Sequence, residues 1–405
     1  ATFTAANGEG YFANTSGGSF TMNLPAGTAG NIVSVVDYTN TFQTNSLTVT
    51  PNGSQKIGGT NASATLNTEG QSVTFVYVDD IEGWKNVQDS TSNVIAQSFI
   101  CASVSGACNT LTTVDTNFKV AIFKGPGNFT VNSVGTCAPN NVVDYLVVAG
   151  GGSGGLGNSA SGGGGGAGGL RVSPGTATGC WTASPRGVSP AVALPVSAQA
   201  YPIVVGGGGA SATTPGDAGN IGSNSSFSTI TSTGGGRGAG HDEPVGNGGS
   251  GGGAGAGVGP TTGTTITGGS GNTPPVNPPQ GMPGGNGASG PGGSTGPGAP
   301  GYGSGGGGGA ISAGGTPPNT TSPGGAGGAG AQVNICGNNY YWSGGGGGSA
   351  WTGQTGGAGG AGGGGGAGGV ASGGAANTQG INNSVAGSVA SQGSGGAAGA
   401  NTGGG

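Results

Sequence analysis

From Pro244 to Gly405, 162 residues carry no Lys, Arg, Asp, Glu or His, and that absence limits what the chain can fold into more than any other feature. Glycine dominates the same region: 93 of the chain's 108 glycines lie in the 256 residues from Gly150 onward. A disordered tail stays in solution through its net charge, and this segment has none. Phosphate binding needs Lys or Arg, so nucleic acid is excluded as a ligand of this half. The whole-chain balance of −5 speaks against nucleic acid or an anionic membrane as a partner of the rest. The 405 residues would house two or three ordinary domains, but only 32% of them are apolar, against a usual ~45–50%. Three ordinary cores are therefore ruled out. No run approaches the ~20 apolar residues of a membrane helix, so no membrane insertion is expected.

Ahead of the glycine-rich half, the chain reads as short strands. Gly18-Ser-Phe-Thr-Met-Asn-Leu24 and Ser46-Leu-Thr-Val-Thr50 alternate, Asn31-Ile-Val-Ser-Val-Val36 is nearly all apolar, and Ser72-Val-Thr-Phe-Val-Tyr-Val78 is β-branched and aromatic. Turn signals at Pro51-Asn-Gly53, Gly58-Gly59 and Glu69-Gly70 separate them, the pattern of a small all-β unit, sandwich or barrel-like, over residues 1–89. Trp84 is expected to close its core. A second β region, 90–149, holds Val94–Ile100, Phe118–Phe123, Asn128–Val131 and Val142–Ala149, the last being the most strand-like of all. No capped helical period appears anywhere, so helix content should be near zero. The fold class is mainly β.

Residues 150–405 form the third region. All-glycine blocks recur at 162–166, 206–209, 305–309, 344–348 and 362–366, separated by corners such as Asn272-Thr-Pro-Pro-Val-Asn-Pro-Pro279. No strict Gly-X-Y period holds, which excludes collagen. A flexible linker is one reading. The other is a polyglycine-II bundle of extended helices with three residues per turn, in which each N–H finds a carbonyl on a neighbour because no Cβ keeps the backbones apart. Blocks of similar length, corners with turn chemistry and recurring anchors such as Leu170 and Trp342 favour the bundle, despite the entropy glycine loses on ordering.

The five cysteines, Cys101, Cys108, Cys137, Cys180 and Cys336, form no CxxC, and a lone His completes no zinc set. Cys101 and Cys108 close a short loop and Cys137 can reach Cys180, two disulfides that would suit an extracellular location; five reduced thiols remain the alternative. Gly150-Gly-Gly-Ser-Gly-Gly155 fits GxGxxG but lacks a following helix pattern and an acid ~20 residues on. Ser153 within it mimics a nucleophile elbow, with His241 and Asp242 as the only conceivable partners. Both read as chance matches in glycine-rich sequence. Asp79, Asp80 and Glu82, like Asp242 and Glu243, read as solvated turns rather than calcium ligands. No metal, no cofactor and no enzymatic activity are expected. Asn-x-Ser/Thr triplets at Asn14, Asn52, Asn61, Asn128, Asn224, Asn319 and Asn382 are no more than such a composition produces.

Several punctuating segments carry a resemblance. Gly10-Tyr-Phe, Met22-Asn-Leu-Pro-Ala-Gly27, Pro51-Asn-Gly-Ser54 through Lys56-Ile-Gly-Gly59, and Val76-Tyr-Val-Asp79 up to Gly83-Trp84 come first. Asn128-Phe-Thr-Val131, Asp144-Tyr-Leu-Val-Val-Ala-Gly-Gly-Gly152, Asn224-Ser-Ser-Phe-Ser-Thr-Ile230, Thr233-Gly-Gly-Gly236, Asn272-Thr-Pro-Pro275 and Pro278-Pro-Gln-Gly281 follow in order. In these the chain resembles the glycine-rich tail-fibre and adhesin proteins of tailed bacteriophages, marine ones especially, over nearly its whole length. It departs from them in lacking a closing Gly-Ile-Val-Ile-type strand and a separate virion-attachment segment, and it starts without Met, so both ends look trimmed. The resemblance implies a virion-surface or extracellular location, a host-cell receptor (glycan or outer-membrane protein) and other fibre or tail subunits as partners, and a homo-oligomer or polymer.

The residues best suited to contact a receptor are aromatics on the glycine scaffold: Tyr302, Tyr340, Tyr341, Trp342 and Trp351. Aromatic faces stack on sugars and apolar patches, although plugging gaps between bundle helices would explain them equally. The expected function is a structural adhesin. The alternatives are a repeating subunit of an extracellular filament joined by strand addition, and an ice-binding polyglycine-helix protein. The last requires a flat, regular Thr/Ala face, which the irregular blocks argue against.

Overall fold

In the computed structural model, the described residues are 2–91, 99–114, 118–136, 140–157, 162–175, 184–240, 243–256, 266–288, 303–318, 322–335, 337–351, 353–389 and 395–405. Cys137, Cys180, Cys336, His241, Asp242 and Tyr302 lie outside them, as does most of the strand expected at Val94–Ile100. Among the described residues there is no α-helix, and every named element is a strand. The chain divides into two compact units, Ala1–Gln97 and Ser98–Gly405.

The first unit contains β1 (Thr2–Thr4), β2 (Glu9–Ala13), β3 (Phe20–Asn23), β4 (Ile32–Asp37), β5 (Leu47–Thr50), β6 (Ala64–Leu66), β7 (Ser72–Asp79) and β8 (Gly83–Ser90). They make two four-stranded sheets, β1-β3-β5-β6 and β2-β4-β7-β8. The first five strands alternate between the sheets, so β1 lies parallel to β3 and β3 to β5, while β2 lies parallel to β4. Alternating side chains of β4, β5 and β7 point inward, and Met22, Leu47 and Val49 of one sheet meet Val33, Val35 and Phe75 of the other. Trp84 is fully buried and closes this core, edge-on to Tyr77 at 5.5 Å. Asp37 is buried too. Its carboxylate accepts from the backbone N–H groups of Thr41 at 3.1 Å, Phe42 at 3.0 Å and Gly70 at 3.2 Å, tying two loops to the end of β4.

In the second unit, β9 (Cys101–Val104) and β12 (Gly127–Ser133) join β17 (Ala200–Val204), β18 (Ser225–Phe227) and β19 (Ile230–Ser232) in one antiparallel sheet ordered β19-β18-β17-β12-β9. Residues 98–149 and the glycine-rich half therefore share a sheet, and fold as one unit. Beside it stands the hairpin of β10 (Thr110–Thr113) and β11 (Lys119–Ile122). The run 142–149 breaks in two. β13 (Val142–Val143) pairs with β16 (Leu194–Pro195), and β14 (Leu146–Val148) pairs with β15 (Leu170–Val172). The break falls where Ser173 binds both strands' junction: its hydroxyl donates to Asp144 at 2.7 Å and accepts from the Tyr145 N–H at 3.0 Å. A last hairpin joins β20 (Ala331–Val333) and β21 (Tyr340–Trp342).

The glycine-rich segments are linked by a three-residue repeat. Gly150, Ser153 and Leu156 donate to Ser223, Asn220 and Asp217, three steps of three along one neighbour. Gly152 and Gly155 donate instead to Gly166 and Gly163 on a second neighbour, and Gly163, Gly166 and Gly169 donate to Ala239, Gly236 and Thr233 on a third. An extended chain that returns to the same neighbour every third residue has three residues per turn. None of the glycines at 150–155, 162–169, 303–309 or 344–348 takes a positive φ, which gives the left hand of polyproline II rather than its mirror. The glycine-rich half is the polyglycine-II bundle, not the linker.

Segment 162–170 lies at its centre. Six other segments bond to it through Gly152, Gly236, Ser250, Gly305, Gly346 and Gly403, the coordination of hexagonally packed rods. The interior segments 162–170, 303–310, 343–348 and 362–369 are buried throughout, and they contain four of the five all-glycine blocks. Outer segments have another pattern. In 323–329 and 355–361 the exposed residues are Pro323 and Ala326, and Thr355 and Ala358, while Ala329 and Ala361 are half-buried. These two segments are neighbours, since Gly324, Gly327 and Gly330 donate to Thr355, Ala358 and Ala361.

Candidate binding surfaces

The expected aromatic surface is not one surface. Tyr340, Tyr341 and Trp342 make up β21, and all three are half-buried. Trp342 packs against the cluster of Leu170, Val172, Ala331 and Val333, and its indole N–H donates to the Val333 carbonyl at 3.4 Å. It works as a plug between the bundle and its hairpin. Trp351, also half-buried, follows the other end of segment 343–350. At ~3.1 Å per residue the two tryptophans stand roughly 28 Å apart, at opposite ends of one rod. Of the four expected aromatics among the described residues, only the three of β21 are brought together.

The disulfide expected between Cys101 and Cys108 is not formed; both thiols are free and exposed. Cys101 opens β9, opposite Ser133, and the strand then carries the chain about 10 Å away, at ~3.3 Å per residue. Cys108 sits in the far turn with φ of 62°. A bridge needs Cα atoms within ~7 Å.

The glycine motif at Gly150–Gly155 is spent on the lattice. Its N–H groups donate to two neighbouring segments, its carbonyls accept from Gly209, Gly235 and Gly238 on two more, and the Ser153 hydroxyl donates to the Ala210 carbonyl at 2.7 Å while accepting from the Asn220 N–H at 2.8 Å. The hydroxyl acts as a strut. The acidic turn is likewise engaged: Asp79 caps the N–H groups of Ile81 and Glu82, Asp80 accepts from the Tyr77 hydroxyl, and Glu82 pairs with Lys85 at 2.6 Å. Among the described residues no cluster of three metal-ligating side chains occurs.

Two features were not singled out in the sequence. Arg186, half-buried, lays its guanidinium on the Ala310 carbonyl at the end of segment 303–310. Burial pulls its pKa below the usual range for arginine. It supplies donors to a rod end that has no further turn to bond. The other is a pair of exposed rings in the first unit, Phe12 and Tyr38, at 6.2 Å between centroids and 79° between planes. The signal was present: Phe12 falls out of phase with the inward positions of its strand.

The bundle also sorts its chain reversals. Segments 149–156, 206–209, 233–240, 249–256, 280–288 and 343–349 run away from the five-stranded sheet, and their partners 163–170, 216–223, 266–272 and 303–310 return toward it. One end is fixed to the sheet and to the corner at 272–280, where the buried Gln280 accepts from Thr233 N–H at 2.8 Å and donates to Pro274 O at 3.1 Å. The opposite end gathers the ends of the rods at Leu156, Gly209, Gly240, Ala256, Ala288 and Ser349. No helix among the described residues is long and apolar enough to cross a membrane. No protein-family model matches the chain, and no curated protein is similar to it.

Proposed function

We propose that the chain is a structural fibre or adhesin protein of a virion surface, which attaches the particle to its host cell. The observation that carries this reading is the sorting of the bundle's reversals. A rigid, hydrogen-bonded scaffold of glycine rods brings the rod ends at Leu156, Gly209, Gly240, Ala256, Ala288 and Ser349 to one end, and recognition is commonly placed on loops held by a rigid scaffold. The ordered series of segments resembling phage tail fibres supports it independently. The buried rods are built almost wholly of glycine with small Ala and Ser side chains, which supports a role in rigidity and presentation. Antibody raised against the chain should decorate the tail tip of native particles in electron micrographs and block their adsorption. Particles that lack the chain, or an endless filament built from it, would sink the proposal.

One observation favours a second reading. The neighbouring outer segments 323–329 and 355–361 expose Ala326, Thr355 and Ala358, with Ala329 and Ala361 half-buried beside them, small residues spaced three apart as on the regular face that an ice-binding protein requires. Thermal hysteresis of the purified chain, abolished by Ala326→Lys with Ala358→Lys, would support it; ordinary freezing would dismiss it.

A further inference from the structure

Side chains alternate along a strand, so Phe12 of β2 and Asn14, two residues on, share the outer face of the sheet β2-β4-β7-β8. Val36 lies opposite Phe12, and Tyr38 continues the same face, its N–H donating to the Ala13 carbonyl at 2.9 Å. Phe12 is 76% exposed and Tyr38 64%. Two large rings held edge-on in water, on an edge strand, are an unusual use of aromatic surface.

Asn14 stands beside them with its amide orientation settled. Its Oδ1 accepts from the Ser16 N–H at 3.0 Å, the Ser16 hydroxyl at 2.7 Å and the Thr39 hydroxyl at 3.3 Å. A backbone N–H can only donate, so the oxygen is the atom facing inward and the Nδ2 amino group faces away. No described residue accepts from that amino group. Inboard of the rings, Ser34 and Thr74 share a hydroxyl contact at 3.0 Å. The two cross-strand rows running inward from Phe12 and Gly10 end at Ser90 and Gln88 and contain no charged residue. Gly10 leaves a shelf next to Phe12: a Cβ there would meet nothing nearer than Ser34 Cβ at 4.0 Å.

We propose that Phe12, Tyr38 and Asn14 form a binding site for a pyranose ring of a neutral oligosaccharide. The rings take the C–H face of the sugar, and the fixed Nδ2–H groups donate to its hydroxyls. A purely apolar partner would strand the amide donors and serine hydroxyls without hydrogen bonds, and a charged polymer would find no opposite charge in the two rows beside the rings; Lys85, in the next row through Ile32 and Val76, is already paired with Glu82 at 2.6 Å. The site belongs to the N-terminal unit and is independent of what the glycine bundle does.

The full chain is titrated with gluco-, manno- and galacto-configured neutral hexasaccharides, by calorimetry and by saturation-transfer NMR read at the aromatic protons. At least one should bind. Phe12→Ala and Tyr38→Ala should each weaken it roughly tenfold, with Phe12→Tyr retaining it. Asn14→Asp keeps the inward acceptor but removes the outward donors, and it should weaken binding similarly. All three positions are exposed, so the melting temperature serves as the control that folding is intact. The site is overturned if no hexasaccharide binds, if Phe12→Ala with Tyr38→Ala binds as the wild type does, or if anionic glycans bind more tightly than neutral ones. Particle adsorption is scored separately, so failure here leaves the attachment reading standing.

Discussion

Gly307 tests the glycine lattice most directly. It lies in the buried segment 303–310, where its N–H donates to Gly346 at 2.8 Å and its carbonyl accepts from Gly328 at 2.8 Å. A Cβ built on it would stand 1.9 Å from the carbonyl oxygen of Gly165. Ordinary contact begins near 3.4 Å, so Gly307→Ala must push segments 303–310 and 162–170 about 1.5 Å apart. Two hydrogen bonds cross that seam, from Gly164 to Gly305 and from Ala167 to Gly308, each at 3.0 Å. Both would be stretched past the useful range. Losing two buried bonds costs about 1–3 kcal/mol each, and overpacking about 1–3 kcal/mol more. Alanine's stiffer unfolded chain returns only about 0.4–1 kcal/mol. The net loss is about 4 kcal/mol, a drop of roughly 10 °C in melting temperature for a unit of this size. Gly207 is the control. Nothing lies within 4 Å of its added Cβ and its φ is not positive, so Gly207→Ala should be neutral or stabilise by up to about 1 kcal/mol. Scanning calorimetry on the full chain reads both. If Gly307→Ala melts within about 0.5 kcal/mol of the wild type, or if Gly207→Ala is equally damaging, close backbone approach is not what holds the bundle together.

Asp37→Ala should destabilise the first unit by about 3 kcal/mol, because three buried N–H groups lose their acceptor; Asp37→Asn, which keeps one oxygen, should lose about half as much, and denaturant melts of the two variants measure the difference. Tyr145 gives a pH prediction. Burial raises its pKa above the usual 10.0, opposed by nearby Arg171 and reinforced by Asp144. A raised folded pKa means its contribution is intact below pH 10 and lost as pH climbs through the folded value. The second unit should therefore weaken in strong alkali, its late phenolate titration coinciding with melting. Tyr145→Phe should flatten that slope, and an unchanged slope would dismiss the assignment.

Much of the first unit was legible because burial on one face imposes a period of two. Met22, Val33, Val35, Leu47, Val49, Val73 and Phe75 are at alternating inward positions of the strands expected from sequence, and Trp84 closes the core as its place after the acidic turn implied. The short edge strands β1 and β6 left no such trace, being three residues each. Val142–Ala149 misled for the opposite reason. Its apolar run is continuous, but Ser173 holds Asp144 and Tyr145 at a junction where the chain changes partner, and only residue-specific bonding 28 or 29 positions away decides that. The grouping of the two tryptophans was likewise beyond the sequence. Composition identifies Trp342 and Trp351 as candidates, whereas rod length places them at opposite ends.

The glycine-rich half holds a code that block-counting misses. Inside the hexagonal array a rod meets neighbours on all sides, so few of its positions tolerate a Cβ, and each segment there carries a run of five glycines, with a small residue such as Ala167 or Ser304 buried beside the run. An outer rod has one open side, and with three residues per turn that side recurs every third position. Gly324-Gly-Ala-Gly-Gly-Ala329 and Gly356-Gly-Ala-Gly-Gly-Ala361 are that pattern written in sequence: Ala326 and Ala358 are exposed, Ala329 and Ala361 half-buried, and every glycine is buried or half-buried. The rule has a limit at segment 206–209, all glycine yet partly exposed, where the lattice demands glycine only at Gly206 and Gly209, whose added Cβ atoms would strike Ser223 and Asn220 at 2.1 Å. A further rod laid on that face would have to approach the methyl groups of Ala326 and Ala358, whereas most interior contacts are backbone on backbone.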